Sequence, residues 1–148
     1  MKSKIYLDTS VISALFDDRT PERLLMTNEM WLKLSDYDVY ISGLVIEELE
    51  RTSEHVQQKM LAAVCNFTFL SVTKESQKLA DIYVKQGIFP EKYYDDALHV
   101  AIASVNQIGI LLSWNFTHLV KLKTRRMVSI VNLTENFATV EIISPPEL

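Results

Sequence analysis

Short apolar runs alternate with stretches of helical spacing from one end of the chain to the other. The first run, Lys4 to Leu7, stops at Asp8-Thr9-Ser10. Val11, Ile12, Ala14, Leu15 and Phe16 then predict a short helix starting near Thr9 or Ser10, residue types that cap helices. After a loop at Asp17 to Arg19, Thr20-Pro21 reads as a cap followed by proline at the first helical position. The helix it opens turns Leu24, Leu25, Trp31, Leu32 and Leu34 inward and ends near Asp36. Val39 to Ile41 form a second strand, ending on Ser42, and Leu44, Val45, Ile46 and Leu49 begin another helix that carries Glu47, Glu48 and Glu50. A further helix is expected over Glu54 to Asn66, a strand over Phe67 to Val72, and a helix over Glu75 to Gln86 that closes at Gly87.

The stretch from Tyr93 to Asn115 organises the rest. It begins with Asp95 and Asp96, and from Ala97 to Val105 it is apolar almost all round a helical period. Such a helix belongs in the interior of a domain. Gly109 reads as its C-terminal stop, and Ile110 to Leu112 as a buried strand ending on the polar Ser113 and Asn115. A short helix over 116–122, another around Met127 to Leu133, and a last strand at Val140 to Ile143 complete the pattern before Pro145-Pro146. Alternating strands and helices predict an α/β fold. Its mostly parallel central sheet of about five strands is flanked by helices on both faces. The 148 residues are expected to form one domain, residues 1–148.

Composition removes several kinds of chemistry. Only Gly43, Gly87 and Gly109 are glycine, about 2% of the chain where about 7% is usual, so glycine-rich phosphate loops are absent. Three scattered histidines (His55, His99, His118) and one cysteine make a structural zinc site a poor expectation. Cys65, alone, excludes an internal disulfide and fits a reducing cytoplasm, where a buried thiol is its expected state. The first residues lack the apolar core of a signal peptide, and no run is long enough for a membrane helix. The net charge is −4, so nucleic-acid binding needs a local basic patch. Lys121, Lys123, Arg125 and Arg126 provide one, although a solvated helix face would look the same.

What remains in quantity is carboxylate. A parallel sheet aligns its strand C-termini along one edge, where sites are built. Asp8, Ser42 and Asn115 follow strands, while Glu47 and Glu48, then Asp95 and Asp96, sit near helix starts. Carboxylates that converge there repel unless a proton or a cation relieves them. Oxygen ligands without soft donors favour Mg²⁺ or Mn²⁺, ions that activate water and steady charge on a phosphodiester. Each residue also has an ordinary structural role. Asp8 can cap a helix, Asp95 or Asp96 can answer a helix dipole, Glu47 and Glu48 can be surface acids, and Asn115 can be a turn residue. His99 and His118 can be packed or hydrogen-bonded, and Trp114 can be core or a lid.

Taken in order, four segments resemble the PIN-domain nucleases, and within them VapC-type toxins of bacterial toxin–antitoxin pairs. They are Ile5 to Ile12, Ile41 to Leu49, Asp96 to Ala103 and Leu112 to Phe116. The resemblance implies a metal-dependent endoribonuclease with Asp8, Glu48 and Asp96 as metal ligands and catalytic acids. Glu47 and Asp95 are the alternates. The fourth, usually acidic, position is Asn115 here. Thr9 or Ser10 would orient the metal or the scissile phosphate, and Lys121, Lys123, Arg125 and Arg126 would hold RNA. A small antitoxin and a homodimer are the implied partners, and three carboxylates suggest one ion in the free protein. A second reading keeps the scaffold as an RNA- or protein-binding module without cleavage. A receiver-like phosphoacceptor is disfavoured, because a single aspartate follows the first strand and no lysine ends the strand at Leu112.

Overall fold

The computed structural model describes residues 1–148. The strands are β1 (Lys4–Leu7), β2 (Asp38–Ser42), β3 (Thr68–Leu70), β4 (Ile110–Leu112) and β5 (Glu141–Ile143). The helices are α1 (Thr9–Ala14), α2 (Pro21–Lys33), α3 (Gly43–Leu49), α4 (Glu54–Val64), α5 (Lys74–Lys85), α6 (Tyr94–Val105) and α7 (Leu122–Thr134). All strand pairs are parallel, in the order β3-β2-β1-β4-β5. Right-handed crossovers to β2 and β3, then back across to β4 and β5, put α1–α4 on one face of the sheet and α5–α7 on the other. This is the α/β/α arrangement expected from the alternating pattern.

Covered on both sides, β1 is the sheet's centre: Ile5, Tyr6 and Leu7 are completely buried. Helix α6 is as apolar as its sequence suggested, with every residue from Ala97 to Ser104 buried. Because β1 pairs with β2 on one side and with β4 on the other, the chain reverses its direction of travel at β1. Open α/β sheets place their sites at such a point, outside the strand C-termini.

Several local expectations change. Residues 116–119 form turns rather than a helix, so the basic residues begin α7 instead of following a helix. The stop after α6 is not Gly109: Gln107 adopts the left-handed conformation, φ 57°, and the Ile108 N–H donates back to Ala103 O at 2.9 Å. Gly87 plays the same part after α5, with φ 79° and the Ile88 N–H on Tyr83 O at 3.0 Å. On α2 the inward face is Thr27, Met30 and the following Leu34, while Leu25 and Leu32 face solvent. Cys65, expected inside, is exposed just past the end of α4. No helix is long and apolar enough to cross a membrane.

Candidate active site

Asp8 follows β1 directly and is 4% exposed. Its side chain is held from three directions. Ser10 Oγ donates to Oδ1 at 2.5 Å, the Val11 N–H donates to the same oxygen at 3.3 Å, and Ser113 Oγ donates to Oδ2 at 2.5 Å. Asp8 therefore does cap α1, as one ordinary reading proposed, yet the caps do not exhaust it. Burial raises its carboxyl above the usual range, against the lowering pull of the His99 charge and these three donors. Ser113 and Ser10 also hold the strand end of β4, receiving the Asn115 and Trp114 N–H groups at 2.9 Å each. Trp114 is core rather than lid, 6% exposed with Nε1 donating to Thr27 Oγ1 at 2.9 Å.

The glutamate pair sorts by direction. Glu47 is exposed and meets Arg51, whereas Glu48 turns toward the strand ends. Glu48 Oε1 accepts from Thr9 Oγ1 at 2.8 Å and lies 2.6 Å from His99 Nε2. The aspartates sort likewise: Asp95 approaches Arg51 at 3.9 Å, and Asp96 faces Asn115. Burial raises the Asp96 carboxyl, with the charges of Asp8 and Glu48 adding to it and those of His99 and His118 opposing. Asp8, just past β1, and Glu48 of α3 thus bear on Asp96 of α6 at one edge of the sheet.

His99, expected to be packed or hydrogen-bonded, is both. It is 2% exposed and joins two elements. Nε2 faces Glu48, and Nδ1 lies 2.6 Å from the Tyr6 hydroxyl, which in turn is 2.7 Å from Ser42 Oγ. Burial alone would lower the His99 pKa, but the bond and charge of Glu48, then Asp8 and Asp96, outweigh it and raise it. Glu48 moves the opposite way: burial would raise it, and the His99 bond and charge bring it below its usual value. Both directions describe an imidazolium–carboxylate pair. With both ring nitrogens donating, the Tyr6 hydroxyl is left to donate to Ser42, and every atom of the chain is satisfied. A histidine amid otherwise apolar residues, Ala97 to Ala103, was the available signal.

Asn115 occupies its place as a donor. Its Oδ1 accepts the His118 N–H at 2.9 Å, which orients Nδ2 toward Asp96 Oδ2 at 3.3 Å. The basic residues divide. Lys121 and Lys123 line a hollow with His118, whereas the Arg125 guanidinium donates to Ile142 O on β5 at 3.3 Å and Arg126 is exposed.

A parallel sheet with acids gathered past its switch-point strands defines a class of α/β proteins built to hold charged chemistry at one edge. The chain belongs to the PIN domain family, whose pattern it matches over residues 5–115. Among solved structures it resembles VapC20 of Mycobacterium tuberculosis, a sarcin–ricin loop cleaving toxin. The TM-score is 0.63 at 18% identity, over 93% of this chain and 98% of that one. It also resembles VapBC2 of Rickettsia felis bound to a promoter DNA fragment, with TM-score 0.60 and 11% identity over 95% and 98% of the two chains. A toxin–antitoxin complex from Klebsiella pneumoniae matches with TM-score 0.60 and 15% identity over 81% and 93%. At these identities the likeness is one of fold. No curated protein sequence matches the chain.

A divalent cation implied by such a site can be tested against the donors present. Their chemistry fits: the groups are carboxylate and hydroxyl oxygens, and burial raises two of the carboxyls, with the charges of Asp8 and Glu48 adding to the rise at Asp96. Their spacing is open, since no three acidic, histidine or cysteine side chains converge closely enough to hold an ion by themselves.

Proposed function

We propose that the protein is a metal-dependent endoribonuclease acting at Asp8, Glu48 and Asp96, and that it serves as the toxin of a toxin–antitoxin pair in the cytoplasm. The observation that carries the proposal is the convergence of acids from three separate elements at the switch point, with Asp8 enclosed just past β1, Glu48 held by Thr9 and His99, and Asp96 facing Asn115. A fold alone would not require it. Acids gathered in one place with their protonation shifted by burial and by charged neighbours are characteristic of working sites.

Asp8 and Asp96 would hold the cation, with Glu48 behind them; when bound, it would supply positive charge against the phosphodiester oxygens. His99 offsets one of the three carboxylate charges, so one divalent ion neutralises what is left, in keeping with a single tight site. Thr9 and Ser10 fix the directions of Glu48 and Asp8. Asp96 is the acid that substrate reaches, because Asp8 is enclosed and Glu48 is committed to Thr9 and His99. We assign it the proton of the attacking water. The antitoxin partner is supported by neighbours such as VapBC-1 of Haemophilus influenzae, at TM-score 0.56 and 14% identity. Self-association follows from the resemblance alone.

A non-cleaving binding scaffold is favoured by one feature, the donor Asn115 at the position where the resemblance implies an acid. Cleavage of total RNA separates the two readings. Wild type with Mg²⁺ or Mn²⁺ should cut, EDTA should stop it, and folded Asp96→Asn should be inactive. Equal cleavage by wild type and Asp96→Asn refutes the assignment. Metal binding without any cleavage moves the protein to the scaffold reading.

A further inference from the structure

Next to the acids lies a cavity of about 220 Å³ that no carboxylate lines. Gly87 and Pro90 come from the turn after α5, His118 from the loop after β4, and Lys121, Lys123 and Thr124 from the start of α7. In a chain of net charge −4, a hollow with two lysines and a histidine is a local reversal of sign. Reversals of this kind are what a phosphate backbone reads.

The hollow is built rather than incidental. The His118 N–H is bound to Asn115, and its carbonyl accepts from Thr124 Oγ1 at 2.8 Å. Its ring lies against Tyr93, with centroids 4.0 Å apart and planes 32° from parallel. Tyr93 is 38% exposed and immediately precedes α6, whose first turn carries Asp96. An aromatic surface and a cationic hollow therefore meet within one turn of the proposed reactive acid.

We propose that this cavity is the subsite for an RNA backbone phosphate adjoining the scissile one, with the Tyr93–His118 pair as the stacking face for the neighbouring base. It rests on the nuclease reading and narrows it to single-stranded substrate, since a base must leave its helix to lie on a ring. Lys121 and Lys123 supply point charges to the phosphate. Arg125, turned to β5, and the solvent-facing Arg126 stand apart from the subsite.

The test is anisotropy of a short fluorescein-labelled single-stranded RNA of mixed sequence, measured in EDTA at several salt concentrations. Lys121→Gln and Lys123→Gln should each weaken binding several-fold and reduce the salt slope by about 0.7. Tyr93→Leu should weaken it by roughly tenfold, Tyr93→Phe should restore it, and Lys59→Gln on α4 should match wild type. A duplex of the same sequence should not distinguish Tyr93→Leu from wild type. Unchanged affinity and slope in both lysine variants overturns the phosphate subsite, and unchanged affinity in Tyr93→Leu overturns the stacking face. Cleavage assays separate the two proposals. If Asp96→Asn still cuts while the lysine variants lose binding, the assigned acid falls and the subsite stands. If Asp96→Asn is inactive while the lysine variants bind normally, only the subsite falls.

Discussion

Tyr6→Phe removes one oxygen from a ring that is completely buried in β1. The ring's packing is kept; what goes is the 2.6 Å contact with His99 Nδ1 and the 2.7 Å contact with Ser42 Oγ. Ser42 retains the Val45 N–H at 3.4 Å, as cap of α3. His99 Nδ1 has no second partner. The chain has no buried side-chain nitrogen or oxygen without a hydrogen bond, and this substitution would create one. Leaving such a group unpaired costs about 1 to 3 kcal/mol, so a loss of about 2 kcal/mol is expected. For a chain of this length that lowers Tm by about 4 to 8 °C. Because His99 steadies Glu48, kcat for RNA cleavage should also fall by about tenfold with KM held, the usual scale for groups that orient ligands. Thermal unfolding followed by circular dichroism, with cleavage measured well below both transitions, reads the two effects. In a His99→Leu background Tyr6→Phe should cost at least 1 kcal/mol less. A Tm drop under about 1 °C, or the same drop in both backgrounds, would refute the network.

Four further outcomes follow from the structure. Asp96→Asn should raise the Tm of the metal-free protein by about 2 to 4 °C while removing cleavage, because it relieves repulsion from Asp8 and Glu48 at a cost paid only in function; Asn115→Asp, which turns a donor to Asp96 into a repelling acid, should lower it. Gln107→Gly should stabilise by about 0.5 to 1 kcal/mol, since Gln107 is exposed and holds φ 57°, and chemical denaturation would show the midpoint shift. Isothermal titration with Mg²⁺ or Mn²⁺ should show one tight site without RNA, and at a hundredfold excess over Kd the ion should add about 2.7 kcal/mol of stability; two tight sites would contradict the charge account built on His99.

The alternation of apolar runs was enough to read the layered sheet, because a strand buried on both faces has no room for a polar residue until it leaves the sheet. Asp8 marks the exit from β1, and Ser42 is the last residue of β2 and the cap of α3. Helix faces were less legible. Leu25 and Leu32 share one stripe of α2, and the pattern assigned that stripe inward, yet the structure buries Thr27 and Met30 instead. Apolar content names a face only when the opposite face is polar, and α2 carries leucine or methionine on both. The end of α6 was misread for a related reason. Glycine is the cheapest left-handed residue, so Gly109 drew the assignment, but the helix stops where its last carbonyls find donors, and that falls at Gln107 and Ile108.

The acids themselves were legible as letters, and their pairing with neighbours was not. Glu47 and Glu48 differ by one position, about a hundred degrees around a helix, and only the placement of α3 against β1 turns one toward Thr9 and the other toward Arg51. His99 shows the deeper limit. Read along the chain it is one polar residue in an apolar helix, three positions after Asp96, and packing is its ordinary meaning. Its meaning changes because Tyr6 rises from β1 and Glu48 comes from α3, partners 93 and 51 residues away. The raised His99 and lowered Glu48 pKa values favour a positive imidazole that offsets part of the acids' charge. At Asn115 the amide donates to Asp96, where an acid would add a fourth repelling charge.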